Sequence, residues 1–366
     1  MQKKRMLVIC PYPEGVAPSQ RLKYEQYFEY FRENGYEITV SPFMSMKFWN
    51  IVYKKGHFFQ KAFYTIAGYF KRIKDLFRIR KYDVVFVTLW VTPMGLPIME
   101  NLFGLLAKSL VYDIDDLIFL GHSSTANKII AWIKGKRKMI VLMKRSDHVI
   151  TCTPVLDRFV RQYNPNTTDI SSTINTDAYT PVNPYTNDKK IILGWSGSHS
   201  TAKYLHLLTP VLQKLKQTHD FTLLVMGDAN FKMEGIDVEA VAWSEAIEIP
   251  TLQRMDIGLY PLPDEPWVYG KSGLKALQYM ALGIPTIAEK LGADHANHRV
   301  IEHDVSGFLA HTEEEWLTYL IQLIENPQLR KKIGIAARER VVKYYSIHAN
   351  KDTYLNILNG VSQKKG

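Results

Sequence analysis

Short apolar runs alternate along this chain with longer stretches in which apolar positions recur every third or fourth residue. Runs that are apolar throughout suit parallel strands covered on both faces, and the periodic stretches suit the amphipathic helices that cover them. In the first half the strand-like runs are Met6–Cys10, Glu37–Ser41, Asp83–Thr88, Ser109–Asp113 and His148–Thr151. Around Ser171–Asn187 the chain turns polar and proline-bearing, the character of a linker. The alternation then restarts with Lys190–Gly194, Phe221–Met226, Val238–Ala242, Ile257–Tyr260, Pro285–Ala288 and Gly307–Ala310. The pattern predicts an α/β protein of two successive doubly wound parallel-sheet domains facing a central cleft, residues 1–175 and residues 176–345. The last stretch, 346–366, is expected to return as a helix onto the first domain.

Composition narrows the setting more than the fold. The 366 residues suit two domains, and 46% hydrophobic with 22% charged residues is a globular balance. Cys10 and Cys152, the only cysteines, lie in apolar runs and make no disulfide framework, which points to a reduced cytoplasm. The apolar run after the basic start meets Pro11 too soon for a signal peptide, and no apolar run is long enough to span a bilayer. The net charge of +10 is concentrated: Met44–Tyr82 carries +9 and Ala126–Ser146 carries +7, leaving −6 for the rest. In the first of these segments Phe59, Phe63, Ile66, Phe70, Ile73 and Phe77 form a row at helical spacing. Such a row is either the core face of a helix or a basic amphipathic surface that meets an anionic membrane. Nucleic acid would also suit the charge, but no recognition motif accompanies it and none is expected as a partner.

Ligands of open parallel sheets sit beyond the carboxyl ends of the strands, so the strand-to-helix junctions hold the candidate chemistry. The first junction, Cys10–Arg21, offers Gly15 for close backbone approach and Ser19 as a helix cap, without the GxGxxG spacing of a dinucleotide site. At the second, Asp113, Asp115 and Asp116 end an apolar strand. These carboxylates can bind sugar hydroxyls, act as a base or cap the next helix; a lone DxD is a weak metal signal.

The third junction, GWSGSHSTAK, sets Gly197, Ser198, His199, Ser200, Thr201 and Lys203 at the start of a helix expected to run to about Gln217. Free backbone N–H groups, hydroxyls and a cation at a helix start suit a diphosphate, and a capped tight turn is the plainer alternative. The fourth, GKSGLKALQYMALGIP, opens a helix with Ser272, Gly273 and Leu274 and carries Lys271, Lys275 and Gln278 on one face. Two cations at the positive end of a helix dipole are unfavourable alone, and an anionic ligand explains them.

At these junctions the sequence resembles the family 4 glycosyltransferases, retaining enzymes of the GT-B type with two Rossmann-like domains. The likeness rests on IILGWSGSHSTAKYL, MDIGLYPLPDEPWVYGKSGLKALQYMALGIPTIAE and VIEHDVSGFLAHTEEEW in the second half. YPEGVAPSQRLKY and VYDIDDLIF in the first half are similar to a subgroup of bacterial surface-polysaccharide transferases, and NTDAYTP at 175–181 to the family's interdomain segment. The resemblance implies that Gly197, Ser198 and Lys203 form the donor-phosphate loop, with the family's usual arginine missing, and that Gly15 belongs to the small acceptor-side loop. It aligns Gly270 and Gln278 with a glutamate pair whose second member contacts the donor ribose, a contact the Gln278 amide can still make.

The implied activity moves a sugar from a nucleoside-diphosphate sugar to a hydroxyl of a lipid-linked or oligosaccharide acceptor in cell-surface polysaccharide synthesis. Lys203, Lys271 and Lys275 with nearby backbone donors would hold the leaving diphosphate without a metal or other cofactor. Asp113, Asp115 and Asp116 would face the sugar or the acceptor. The expected place is the cytoplasm, including the inner face of the cytoplasmic membrane. A bilobed sugar-nucleotide epimerase and an inactive membrane-associated scaffold of the same fold are the alternatives.

Overall fold

The computed structural model describes residues 3–115, 136–182, 185–186 and 189–363. The chain forms two compact units, Met1–Ser171 with Asn350–Gly366, and Ser172–Ala349. Each is built on a six-stranded sheet in which every pairing is parallel.

In the first unit the strands are β1 (Lys4–Cys10), β2 (Tyr36–Pro42), β3 (Val84–Thr88), β4 (Leu110–Asp113), β5 (His148–Thr151) and β6 (Thr167–Asp169), ordered β2-β1-β3-β4-β5-β6. Met6 to Cys10 and the whole of β3 are buried, as strands sandwiched between helices must be. The unit's longer helices include α1 (Phe58–Arg78), α2 (Ile98–Leu106) and α3 (Lys136–Arg145).

Helix α1 is amphipathic with an inverted sense. Its inward face carries Gly68, Arg72 and Asp75, all buried. Arg72 donates from Nε to the Val91 carbonyl, from Nη1 to the Ser41 carbonyl and Asp75, and from Nη2 to the Cys10 carbonyl. A guanidinium buried this deeply is tolerable only because its donors find acceptors. Gly68 lets the Phe43 ring lie against the helix, since a Cβ there would come within 2.6 Å of it. The apolar row points the other way: Phe59 is 86% exposed, Phe70 67% and Phe77 87%. Of the two readings of that row, the core face is therefore the wrong one.

In the second unit the strands are β7 (Ile191–Ser196), β8 (Phe221–Met226), β9 (Val238–Val241), β10 (Ile257–Tyr260), β11 (Thr286–Glu289) and β12 (Phe308–Ala310), ordered β12-β11-β10-β7-β8-β9. From β7 the chain winds outward to β8 and β9, then crosses back to β10 on the other side. The reversal of strand order falls between β7 and β10, the kind of position where open sheets bind ligands. Helix α4 (Leu274–Ala281) follows β10 and buries Ala276, Leu277, Tyr279 and Met280. Helix α5 (Pro327–Arg340) starts at Asn326, whose side chain accepts from the Leu329 N–H, a cap worth about 1 kcal/mol. Arg338 of α5 donates to the Thr176 and Ala281 carbonyls, fastening the polar segment at 176 to the end of α4.

The last helix, α6 (Ile347–Gln363), packs its C-terminal part into the first unit. There the Tyr354 ring lies 4.6 Å from that of Tyr27, tilted to it by 36°, and Asn359 accepts from Lys4 and Tyr36. The helix expected to run to about Gln217 is divided into His199–Ala202, a 3-10 stretch Lys203–Leu208, and Thr209–Lys216. Pro210 has no N–H to return to the preceding turn, so an uninterrupted α-helix is not available there.

Candidate functional site

The carboxyl end of β7 runs directly into Ser196 and Gly197. Gly197 donates its N–H to the Met226 carbonyl at the end of β8. Gly227, at φ +114, passes so close that a Cβ on it would lie 1.8 Å from the Gly197 oxygen. Glycine is required at this crossing of two turns, and together they form a tight, backbone-lined corner.

Helix α4 brings Lys275 to the same corner from the β10 side. Its ammonium lies 4.5 Å from the centre of the Trp195 ring on β7 and 5.5 Å from that of Tyr260, the last residue of β10. A Cβ on Gly197 would sit 3.0 Å from the Lys275 Nζ. Lys275 thus occupies the strand-order reversal itself. Burial among rings and backbone, reinforced by the charge of Lys271, lowers its pKa to about 7. Among the described residues no carboxylate pairs with it, and the Trp195 and Tyr260 rings give it electrostatic support.

Lys271 lies over Trp267, Trp267 packs against Tyr204, and Lys203 lies over Tyr204. Lys271 and Lys203 are therefore linked through a short series of ring contacts, while Lys275 has its own pair of rings in Trp195 and Tyr260. Lys203 also lines an open hollow of about 560 Å³ with Ser200, His206 and Asp228. His199 is already engaged, its Nδ1 lying 3.0 Å from Asp228. Thr201 donates to the Ser198 carbonyl and accepts from the Ser198 N–H, closing the turn on itself. Ser272 shares a hydrogen bond with Ser172 at 2.6 Å, and Gly273 opens α4 at φ +77 with Leu274 as its first helical residue. Gln278 is buried and donates to Glu248 and to the Tyr179 hydroxyl. Its amide nitrogen is thus held by the protein.

The remaining candidates belong to the first unit. Gly15, at φ +80, donates its N–H to Glu25. Asp113 has an internal partner instead of an open face: it is buried and forms an ion pair with Lys23, and the Tyr354 hydroxyl lies 3.5 Å away. Burial opposes the charge on Lys23, but Asp113 outweighs it and holds that pKa above the ordinary lysine value. Asp115 accepts through its carbonyl from the Cys152 thiol. Asp116 lies outside the described residues.

Trp195, Tyr260 and Tyr279 also belong to this corner, although nothing in their type or spacing marks them in the sequence. Tyr279 accepts from the Ser196 N–H at 2.7 Å and so fixes the end of β7. Their one signal is position: Trp195 and Tyr260 stand at the carboxyl ends of β7 and β10, where open sheets bind ligands. Neither residue carries a charge that would mark it.

Comparison with known proteins adds to this geometry. Residues 190–326 match the family model described as glycosyl transferases group 1. A stretch of 89 residues is 29% identical to the trehalose synthase of Pyrococcus horikoshii, covering 24% of this chain and about a fifth (21%) of that protein. Over nearly its full length the chain is similar in structure to a glycosyltransferase from Rickettsia africae, with a TM-score of 0.69, 15% identity and 99% coverage of both chains. The sucrose-phosphate synthase of Thermosynechococcus elongatus gives 0.68 at 15% identity, covering 98% of this chain and 99% of that one. Anabaena HepE in complex with UDP-glucose gives 0.67 at 16%, again covering 98% and 99%. These likenesses establish the fold: two parallel six-stranded sheets with covering helices, a fold of the GT-B type. The group 1 glycosyl transferase match falls on the unit that holds Lys275.

Proposed function

We propose that this chain transfers a sugar from a nucleoside-diphosphate sugar to a hydroxyl group of a lipid-linked or oligosaccharide acceptor. The observation that carries the reading is Lys275, an ammonium that pairs with no carboxylate among the described residues, at the β7–β10 reversal against the Gly197 backbone. The group 1 glycosyl transferase match over 190–326 and the UDP-glucose bound to HepE support a donor of this class.

As the glycosidic bond lengthens, charge accumulates on the departing diphosphate. Lys275, Lys271 and Lys203, with the backbone groups near Gly197 and Gly273, would meet that charge from preorganised positions, without needing a metal. Gln278 would offer its amide oxygen to the donor ribose while its nitrogen stays bound to Glu248 and Tyr179. Asp113, paired with Lys23, would hold the acidic turn in position, leaving Asp115 and Asp116 to face the sugar or acceptor. The family resemblance supports retention of configuration, Gly15 in the acceptor loop, and a role in cell-surface polysaccharide synthesis. The excess of positive charge in the N-terminal half supports a place on the inner face of the cytoplasmic membrane.

A panel of sugar nucleotides tests the reading by thermal shift. A true donor at a hundred times its dissociation constant stabilises the fold by about 2.7 kcal/mol. Product analysis with donor alone and with donor plus acceptor follows. Release of an altered sugar nucleotide with no acceptor present would assign an epimerase instead, and a panel with no stabilising member would remove the donor site.

A further inference from the structure

Helix α1 turns its polar face inward and its apolar face outward, and ordinary folding offers no reason to do so. An amphipathic surface helix normally buries its apolar stripe. At about 100° per residue, Phe59, Phe63, Ile66, Phe70, Ile73 and Phe77 all lie within roughly 40° of one line along the helix. That line is some 27 Å long at 1.5 Å per residue. Each of the six is exposed. The opposite line holds Gly68, Arg72 and Asp75, and the hydrogen bonds of Arg72 to β1, β2 and the Val91 carbonyl lock the helix against rotation. The Tyr69 hydroxyl donates to the Met94 carbonyl, and the loop it holds exposes Met94 and Leu96 as well. Exposed apolar area that is fixed in place and contiguous marks an interaction surface.

The charge around the row identifies the partner. Lys54, Lys55, Lys74, Arg80 and Lys81 are exposed around the helix. The single acid of the segment, Asp75, is buried and bound to Arg72 and Arg78. A second copy of this chain would bring a net charge of +9 against +9 across the same row. The 4-3-4-3-4 spacing suits a helical partner geometrically, but there is no exposed acid in the segment to pattern such a pairing. An anionic lipid surface satisfies both features, taking the phenyl rings into the acyl boundary and the cations at the headgroups. Among the described residues no helix is long and apolar enough to cross a membrane, and the polar back of α1 is packed into its own unit.

We propose that the outward face of α1 is the membrane-docking surface of this protein, lying flat in the headgroup region of an anionic leaflet. This deepens the lipid-surface part of the reading above and rests on it. Because the rings are held by a rigid helix, binding fixes the orientation of the first unit on the membrane.

Flotation of the full chain with vesicles tests it. Wild type is expected to float with phosphatidylcholine–phosphatidylglycerol vesicles, to float poorly with pure phosphatidylcholine, and to release as salt rises. F63S/F70S/F77S removes rings that touch solvent, so it should melt like wild type and lose at least about tenfold in vesicle partition. K74E/R80E/K81E should lose binding to the anionic vesicles specifically. Equal flotation of wild type and F63S/F70S/F77S overturns the proposal. So does a wild type that ignores vesicles, whether it dimerises through the row or captures a helical protein there. Nucleotide-sugar binding measured on the same samples separates the two readings: retained binding without flotation leaves the donor site standing and removes only the docking surface.

Discussion

Lys23 in the first unit is buried and Lys275 in the second is half-buried, and the two lysines have opposite fates. Lys23 meets the Asp113 carboxylate inside its unit, and that partner holds its pKa above the usual value in spite of burial. Lys275 meets Trp195, Tyr260 and the field of another lysine, and its pKa falls to about 7. The first arrangement is complete without a ligand. The second is electrostatically unfinished, because ring quadrupoles compensate only part of the lost hydration. A cation left without an anion in a backbone-lined corner is a functional candidate for a stated physical reason.

The largest effect should come from breaking the finished pair. Asp113→Ala leaves an uncompensated ammonium in the interior and should cost about 3–5 kcal/mol of folding stability, measured by urea denaturation. The double variant K23M/D113L should recover most of that loss, since a buried pair adds little over apolar groups of similar volume. A loss of under about 1 kcal/mol in Asp113→Ala would mean that the pair is not internal, and the contrast with Lys275 would fail.

The unfinished lysine should behave the other way, with little effect on the fold and a large effect on turnover. Lys275→Ala should lower kcat/KM by about a hundredfold or more, the scale of losing one preorganised charge-stabilising group, which is roughly 2.7 kcal/mol. Lys203→Ala should cost about tenfold, because Lys203 lines an open hollow where solvent screens its charge. Steady-state kinetics on both variants decides. Equal losses would place both ammoniums on the same group, and near-normal rates in Lys275→Ala would remove the site.

The inner strands were legible because parallel strands covered on both sides are apolar on both faces, as in Met6–Cys10 and β3; the edge strands β2 and β9, only partly buried, were marked by the alternation around them. Strand β6, Thr167–Asp169, was not legible: it is three residues long, half-exposed and without an apolar side chain. The row on α1 was visible as a period but not as a direction. Periodicity locates a face, whereas its orientation depends on Arg72 finding the Ser41, Val91 and Cys10 carbonyls in strands and loops distant in sequence. The same holds for Asp113, whose sequence setting is an acidic turn at a strand end and whose partner lies 90 residues away. In the second unit, spacing puts Lys271, Lys275 and Gln278 on one helix face, but only Lys275 and Gln278 are in α4: Lys271 stands before it in extended backbone, because the 3-10 stretch Pro266–Gly270 ends there and the helix opens only at Gly273. That Gln278 turns instead to Glu248 and Tyr179 depends on the loop and linker packed beside α4.

The finest test of the contrast is its pH dependence. A lysine whose folded pKa is lowered from 10.5 to about 7 is charged in both states below pH 7, so the cost of holding that charge in the fold is fully present there. Between 7 and 10.5 the unfolded chain binds the extra proton, so this residue's contribution to stability rises with pH across that window. Lys275→Met should therefore melt above wild type at pH 6, and the gap should close as pH is raised toward 10. Lys23→Met should show no such closing gap at neutral pH, because its pKa is raised. A bound diphosphate favours the ammonium, so above pH 7 binding must draw a proton onto Lys275. Affinity should then weaken by as much as tenfold per pH unit until the bound-state pKa is reached. Calorimetry at pH 8 in buffers of different ionisation enthalpy measures that uptake directly. Wild type should show a buffer-dependent heat and Lys275→Met a buffer-independent one. Identical heats in every buffer for wild type would mean that the ammonium at the strand reversal never meets the phosphates.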